Sequence, residues 1–348
     1  MTKFATIALA CGSAMGSFAL MPAAAQAQDV SLNYDRLSSL EEPIAFDLGQ
    51  VTVEVTGVID TPVIIEFDEL TDDTSIEAEF VGNFQISAST QLANRWNIGV
   101  AYFGQYATAA VDTFDGGADY SDNVAAFVGT SVGTVLGGNV NGQVRELTRR
   151  QRGVGNAFLA FDDFYGSLDD WGGAYQGRFG PTVLAGVVDE NGDFELGGAF
   201  QRPIGQRDIR FSARYRQSEF VAADGMIAFD SSGVGLVGEL VYGSTLYDVG
   251  VGYETLENRL TGADIDRWFL SAGAQTQLGP VRLSGEAHFG QIDGEDEISA
   301  ALGASYDIAR GLSFNLGVNY QKAQAVTDTV TVIDTDEVKA IASLRFSF

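Results

Sequence analysis

Short runs of alternating apolar and polar residues recur along the chain from residue 51 to its end. In residues 312–321, leucine, phenylalanine, valine and tyrosine occupy every second position, with serine, asparagine, glycine and glutamine between them. Residues 78–89, 209–216 and 247–254 show the same pattern. Because successive side chains of a strand point to opposite faces, this period predicts β-strands with one apolar and one polar face.

Two kinds of connection alternate between these runs. Seven short turns, rich in glycine, proline and asparagine, are predicted near residues 94, 133, 180–181, 203–207, 243–244, 279–280 and 310–311. The connections between them are usually longer and more acidic, as at 110–120, 145–171, 189–193, 256–265, 293–297 and 324–336. Seven short turns imply eight hairpins and therefore 16 strands, and a count of 14 or 18 also fits. Short turns at one end and longer loops at the other are typical of a transmembrane antiparallel β-barrel.

A soluble β-sandwich would show the same alternation, with its apolar face turned into a core. Two features favour the barrel. The polar faces carry glycine and small residues that suit a curved lumen wall, and the chain has 42 glycines. Aromatic residues gather near predicted strand ends, as a girdle at the membrane interface requires: Trp96, Tyr242, Tyr247, Trp268, Tyr306, Phe346 and Phe348. The sequence therefore predicts an all-β membrane barrel over residues 50–348.

The N-terminus has the features of a secretory signal peptide at residues 1–27. Lys3 precedes an apolar run at 4–20, and Ala25-Gln26-Ala27 provides a cleavage site. A lipoprotein signal at Cys11 fits less well, because the apolar stretch before this cysteine is short. Cys11 is the only cysteine, so the mature chain has no disulfide to stabilise it. Residues 28–49 form a lead-in of unclear structure.

The charge of the chain excludes several classes of protein. Removing Lys3 from the 20 basic residues leaves 19 against 47 acidic ones, a net charge of −28, which disfavours binding to nucleic acid. A hydrophobic content of 45% argues against disorder despite this charge. No apolar run of about 18 residues follows the signal, so the sequence predicts no transmembrane helix.

The C-terminal strand ends in a pattern that resembles the assembly signal of Gram-negative outer-membrane barrels. Apolar residues occupy every second position back from the terminal phenylalanine. The alternation alone predicts that Leu344, Phe346 and Phe348 face lipid, while Arg345 and Ser347 face the lumen.

Residues 50–348 as a whole resemble the Gram-negative trimeric porins, particularly those of alphaproteobacteria. The resemblance rests on NRWNIGV at 94–100, FVGT at 127–130, GTVLGGN at 133–139, the long insert that follows, and LRFSF at 344–348. It implies a homotrimeric, passive, water-filled diffusion channel for small hydrophilic solutes and ions in the bacterial outer membrane. It also implies contact with membrane lipid, lipopolysaccharide and the insertion machinery. The enterobacterial loop motif Pro-Glu-Phe-Gly-Gly is absent.

The same resemblance implies that the third long loop, here about residues 145–171, folds into the barrel and narrows it. Its charges would then face charges of the wall and filter solutes by size and charge. The candidate acids are Glu146, Asp162, Asp163, Asp169 and Asp170. The candidate bases are Arg145, Arg149, Arg150, Arg152, Arg178, Arg210, Arg214, Arg216 and Arg282. Simple solvation of the wall arginines, and an exposed basic patch or salt bridges for the loop arginines, are the alternatives.

Catalysis has little support in the sequence. His288 is the only histidine, and no nucleophile elbow or metalloprotease motif accompanies it, so the chain is predicted not to be an enzyme. No cofactor is needed. The acidic stretches 189–193 and 293–297 do not match an EF-hand loop and are interpreted as solvated loop charge, with weak binding of Ca²⁺ as the alternative. A closed structural or adhesive barrel and a substrate-specific porin are the alternatives to a general diffusion channel.

Overall fold

A computed structural model of the chain describes residues 44–68, 73–108, 118–140, 142–151, 153–166, 168, 171–221, 228–327 and 331–348. One helix, α1 (Gln143–Thr148), lies within these ranges. The strands there are β1 (Ile44–Leu48), β2 (Val51–Asp68), β3 (Asp73–Ala78), β4 (Val81–Gln91), β5 (Asn97–Thr108), β6 (Ala118–Thr130), β7 (Gly133–Asn139), β8 (Trp171–Phe179), β9 (Thr182–Asp189), β10 (Phe194–Ile204), β11 (Arg207–Val221), β12 (Ala228–Tyr242), β13 (Thr245–Asn258), β14 (Asp264–Leu278), β15 (Val281–Ile292), β16 (Glu295–Ala309), β17 (Leu312–Thr327) and β18 (Thr331–Ser347).

The strands close into an antiparallel barrel of 16. Each strand from β4 to β18 pairs with the next, and β18 pairs with β2, which closes the sheet. β3 and β4 both pair with β2 and are two halves of one barrel strand. The ladder is interrupted between them because Pro62 of β2 has no N–H to donate to Glu79. With β3 and β4 counted once and β1 left out, the predicted barrel of 16 strands is confirmed.

β1 covers an edge where the barrel closes. Ser347, the last residue of β18, lies opposite Val58, but β2 continues back to Val51. β1 pairs with this remaining stretch, with Ile44 opposite Val55. The edge of β2 is therefore not left open to another chain. The lead-in predicted at 28–49 thus ends in a short strand. Residues 28–43 and the predicted signal peptide lie outside the described residues.

The two faces of the barrel have opposite polarity. Along β13, Tyr247, Val249, Val251 and Tyr253 are all exposed, whereas Asp248 and Glu254, on the alternate positions, are buried. The aromatics predicted for an interfacial girdle, Trp96, Tyr242, Tyr247, Trp268, Tyr306 and Phe346, are exposed on the outer face. An apolar outside around a polar inside fits a barrel in lipid and is the reverse of a soluble sandwich. No helix in the described part of the chain is long and apolar enough to span a membrane.

The seven predicted short turns are confirmed, and two predicted long loops are wrong. Five of the turns contain a glycine with φ between 61° and 71°, which favours glycine: Gly180, Gly205, Gly243, Gly279 and Gly311. Within the acidic stretch 293–297, only two residues separate β15 from β16, and most of 324–336 belongs to β17 and β18. Polar composition predicted loops there, but backbone pairing continues through the acidic residues of β16 and of β18.

Candidate functional site

Between β7 and β8, the described residues 142–151, 153–166 and 168 contact the inner face of the barrel and are called the inner segment below. It has three parts. The outgoing limb is residues 142–151, the tip is 153–157 and the return limb is 158–168. The three parts contact overlapping sectors of the wall, and the main kind of interaction differs between them because their residue types differ.

Apolar packing holds the outgoing limb. Val144 of α1 is fully buried, and with Val140 and Leu168 it joins a cluster formed by inward side chains of β5–β9. α1 also lies close against β10, where a Cβ in place of Gly197 would clash with the side chains of Val144 and Thr148. The helix therefore requires glycine at that wall position. The wall residues of the cluster are Ala101, Ala125, Phe127, Leu136, Ala174, Ala185 and Val187.

Neutral hydrogen bonds hold the tip against β15–β18. The Asn156 side chain donates to the Ser343 hydroxyl over 3.1 Å. The backbone carbonyl of Asn156 accepts a hydrogen bond from the Asn319 side chain over 3.0 Å. The Val154 N–H donates to the Ser284 hydroxyl over 2.9 Å. Cβ atoms at Gly303 and Gly317 would clash with the backbone of the tip. These inward glycines make room for the segment. Wall curvature alone was the reason that the sequence suggested for small inward residues.

Arg150 leaves the outgoing limb and pairs with carboxylates of the wall. Its guanidinium lies 2.5 Å from Asp248 on β13, contacts Glu286 on β15, and lies 3.5 Å from Asp162 of the return limb. Burial alone would lower the pKa of Arg150, but Glu286, Asp162 and Asp248 outweigh it and raise the pKa above its usual range. The arginine is therefore charged at any physiological pH and links two limbs to two strands.

Asp163 of the return limb pairs with arginines of the wall. It accepts a hydrogen bond from Arg214, and the Arg145 guanidinium lies 3.9 Å away. Burial alone would raise the pKa of Asp163, but Arg214, Arg216 and Arg145 hold it well below its usual range. Phe164 beside it packs under Arg214, with 4.4 Å from the guanidinium carbon to the ring centre. The carboxylate therefore stays ionised in this contact.

Two further wall residues contact the backbone of the return limb. Arg216 donates to the Gly166 carbonyl and also lies 3.1 Å from Glu195 of β10. Glu254 of β13 accepts the N–H groups of Tyr165 and Gly166, both over 3.0 Å. Charged wall groups therefore satisfy backbone polar groups that would otherwise be buried without partners.

Arg267 of β14 is fully buried beneath the same limb. It donates to the carbonyls of Phe161 and Asp163 and lies 2.8 Å from Glu297. Tyr165 packs over its guanidinium at 4.3 Å. Burial raises the pKa of Tyr165 well above its usual range, so its hydroxyl keeps the proton that it donates to Glu297.

The structure brings most of the predicted charged residues together, as close pairs. Glu146 lies 2.7 Å from Arg149, and Arg210 contacts both Glu239 and the Leu147 carbonyl. Arg178 and Arg282 lie apart from these pairs near the short-turn end, where Arg282 pairs with Asp307 over 3.1 Å. Arg152, Asp169 and Asp170 fall outside the described residues.

Sequence reasoning missed the wall residues that complete these pairs. Each lies on the inward phase of its strand, so the alternation that singled out Arg210, Arg214 and Arg216 also placed these residues inside. The missed residues are Glu195, Glu239, Asp248, Glu254, Arg267, Glu286 and Glu297. Arginine attracted attention because charge facing lipid is costly, and the same argument applies to carboxylates.

A second group of inward charges lies on β18, β2 and β3. Glu66, Glu77, Glu79 and Glu337 are partly exposed on the inner face, and Lys339 lies among them, 2.7 Å from Glu337 and 3.4 Å from Glu66. These five residues are called the acidic wall below. Apart from contacts of the tip with Ser343 and Arg345 of β18, the contacts described for the inner segment lie on β5–β17. The acidic wall therefore lies next to the sector that the segment covers.

The remaining candidates are placed as follows. His288 is buried, with Nδ1 2.8 Å from the Ser271 hydroxyl and Nε2 4.0 Å from Glu297. Among the described residues, no group of histidine, cysteine, aspartate and glutamate is arranged to hold a metal ion. At the C-terminus, Leu344 and Phe346 are exposed on the outer face, and Phe348 exchanges two backbone hydrogen bonds with Gly57.

Comparisons with known proteins agree with this architecture. The family model for Gram-negative porins matches residues 5–325. The anion-selective porin from Comamonas acidovorans has a TM-score of 0.65 at 13% identity, over 86% of this chain and 100% of that one. The outer-membrane protein OmpT of Vibrio cholerae, in trimer form, has a TM-score of 0.65 at 15% identity, over 86% and 100%.

A mutant of the Rh. blastica porin has a TM-score of 0.53 at 17% identity, over 85% of this chain and 100% of that one. No curated protein matches the sequence. At these identities the structural likeness shows the fold, while the family match over most of the chain shows the family. The chain belongs to the Gram-negative porins and is a passive diffusion channel of the outer membrane.

Proposed function

We propose that the inner segment is the constriction of this channel and that small hydrophilic solutes and ions pass between it and the acidic wall. The observation that carries the proposal is the contrast in exposure. Most wall charges beneath the segment are buried in pairs, and the partly exposed Arg145 and Glu146 of the segment have opposite signs. The acidic wall instead has four partly exposed carboxylates and one lysine. Buried pairs present little net charge to a passing ion, so the exposed carboxylates set the charge preference.

The acidic wall favours cations. Its four carboxylates outnumber its single lysine. The low-dielectric walls of the pore focus the electric field of these carboxylates, so it extends further into the lumen than it would from an open surface. A Debye length of about 8 Å at physiological salt leaves charges that line a narrow pore effective. The wall arginines Arg210, Arg214 and Arg216 then act chiefly by holding the segment in place. This differs from a filter in which an arginine row faces a carboxylate row across water.

Assembly and export complete the proposal. The match to OmpT in trimer form and the resemblance to trimeric porins support a homotrimer. The features of residues 1–27 support a cleaved export signal, followed by a lead-in at 28–49 and the barrel at 50–348. The exposed Leu344 and Phe346 support recognition by the insertion machinery. The buried position of His288 supports a structural role rather than catalysis.

The test is single-channel recording in planar bilayers with a salt gradient. We compare wild type, a variant in which residues 145–168 are replaced by a short Gly/Ser linker, and the variant E66Q/E77Q/E337Q. The linker variant should conduct more, and the glutamine variant should lose about half of the cation preference, because less charge lines the path. The control E219Q/D230N/E257Q removes three carboxylates from the outward phase of β11, β12 and β13 and should keep the wild-type reversal potential.

The results separate the alternatives. No conductance from folded wild type would favour a closed structural barrel. Conductance that saturates with one solute class would favour a substrate-specific porin. A linker variant with wild-type conductance would overturn the constriction, and an unchanged reversal potential in E66Q/E77Q/E337Q would overturn the role of the acidic wall.

A further inference from the structure

We propose that Arg267 is the positioning residue that fixes the return limb and thereby sets the width of the channel. This inference rests on the proposed role of the inner segment as the constriction. It concerns a wall residue that no sequence pattern singled out and that lies beneath the segment rather than beside the path of solutes. Arg267 acts through the backbone of the limb and touches no solute.

The contacts of Arg267 converge on alternate residues of the limb, Phe161, Asp163 and Tyr165. Its two terminal nitrogens donate to the carbonyls of Phe161 and Asp163, and its Nε pairs with Glu297 over 2.8 Å. One terminal nitrogen also lies 3.4 Å from Glu254. A planar fork with fixed donor directions makes these contacts at once, whereas the compact ammonium of lysine does not. The side chain therefore fixes the height of the limb above the wall.

The aromatic neighbours restrict the guanidinium further. Tyr165 of the limb packs on it at 4.3 Å, and Phe269 of the wall at 4.8 Å. The Tyr165 hydroxyl donates to Glu297 over 2.5 Å, and Glu254 accepts the Tyr165 N–H. Arg267, its two carboxylates and Tyr165 thus form a closed network in which each member contacts the limb or belongs to it.

The backbone of Phe161 gives an independent reason for a positioning role. Phe161 has φ of 66°, a left-handed conformation that a residue with a side chain rarely adopts. Such a conformation persists only where the surroundings hold it. The Phe161 carbonyl is held by Arg267. Loss of this hydrogen bond would let the chain return to an ordinary conformation, which would redirect the limb at Phe161.

The other parts of the segment have supports that do not involve Arg267. The outgoing limb packs in an apolar cluster, and the tip is held by amide and hydroxyl groups. A variant of Arg267 should therefore loosen the return limb around Phe161 and Asp163, while the barrel and the rest of the segment remain in place. This separation makes the inference testable in a folded channel.

The test uses three variants of the full-length channel. R267M removes the fork but leaves Glu254 and Glu297 without their cation, which endangers folding. R267M/E254Q/E297Q removes the guanidinium and also neutralises its two carboxylate partners. R267K keeps the positive charge but lacks the planar guanidinium. The matched control is R259M, which removes an exposed arginine that pairs with Glu219 and Asp230 away from the segment.

We expect R267M/E254Q/E297Q to conduct roughly twofold more than wild type, with greater open-channel noise and entry of larger neutral sugars. R267K should show the added noise with a smaller rise in conductance, and R259M should match wild type. Thermal unfolding of the barrel should change little in R267K. These readouts separate a loosened constriction from a loss of barrel stability.

Wild-type conductance, noise and sugar exclusion in folded R267M/E254Q/E297Q would overturn the inference. If that variant does not fold, R267K decides, because wild-type noise in it would overturn the inference equally. The linker variant separates the two proposals. If it conducts more than wild type while the Arg267 variants do not, the constriction stands and only the role of Arg267 fails.

Discussion

The two sectors of the inner wall carry similar residue types and use them differently. Beneath the inner segment, arginines and carboxylates of β10–β16 are buried in pairs with each other and with the segment. On β18, β2 and β3, carboxylates outnumber the single lysine and remain partly exposed. The comparison teaches that an inward charge alters ion passage only where water reaches it. Where another part of the chain covers the charge, it fixes structure instead.

The largest expected effect tests whether the covered pairs are structural. Replacement of Arg150 in R150M leaves Asp248, Glu286 and Asp162 without their shared cation. Removing one partner of a buried pair costs about 3–5 kcal/mol, because uncompensated charge stays buried. Thermal unfolding in detergent should show the loss. The control R178M changes an exposed arginine near a turn and should alter stability by less than about 0.5 kcal/mol.

An equal loss of stability in R150M and R178M would remove the distinction between covered and open charges. The same would hold if R150M unfolded like wild type. A reversal potential shifted strongly toward cations in R150M, without loss of stability, would assign this arginine to the filter.

A smaller effect tests the close approach of the segment to the wall. In G303A, the new methyl group would clash with the Val154 carbonyl and displace the tip. Overpacking of this kind costs about 1–3 kcal/mol, and conductance should change with it. In G137A the methyl group meets open space, so stability and conductance should stay at wild-type values. Wild-type conductance and stability in G303A would argue that the tip does not lie against β16.

The smallest expected effect concerns pH and the return limb. The pKa of Asp163 is depressed by Arg214, Arg216 and Arg145, against the opposing effect of burial. Its ion pairs therefore contribute stability that is fully present above the unfolded pKa of about 4 and is lost as pH falls through the folded value. Open-channel noise should rise in strong acid, starting below about pH 4. D163N should show added noise already at neutral pH and a weaker dependence on acid. Noise that rises equally in both proteins would place the acid-sensitive group elsewhere.

The alternation of polar and apolar residues was enough to predict the barrel, its strand number and its short turns. Every strand with one lipid face and one lumen face must repeat with a period of two, and each tight turn needs glycine or a similar residue. Polar composition was a poor guide at 293–297 and 324–336, where acidic residues belong to paired strands. The acidic side chains of these stretches indicate contact with water, and they do not indicate where backbone pairing ends.

The sequence predicted which charged residues belong to the candidate site, but not which of them pair with each other. The sequence singled out Arg214 and Asp163, and their contact joins residues 51 positions apart. The alternation places Arg267 on the inward face, but it gave no sign of its partners, which are backbone carbonyls of a distant segment. Which charges are covered depends on where the inner segment lies, and the periodicity of the strands holds no information on that.

The sequence by itself determined a porin-like barrel with an inward polar face, because strand period and lipid exposure are local properties of each residue. The tertiary structure alone decided which inward charges reach water, because the inner segment covers one sector of the wall and leaves another beside the lumen. Burial of that kind depends on contacts between distant parts of the chain, and it separates the arginines that hold the segment from the carboxylates that face the pore.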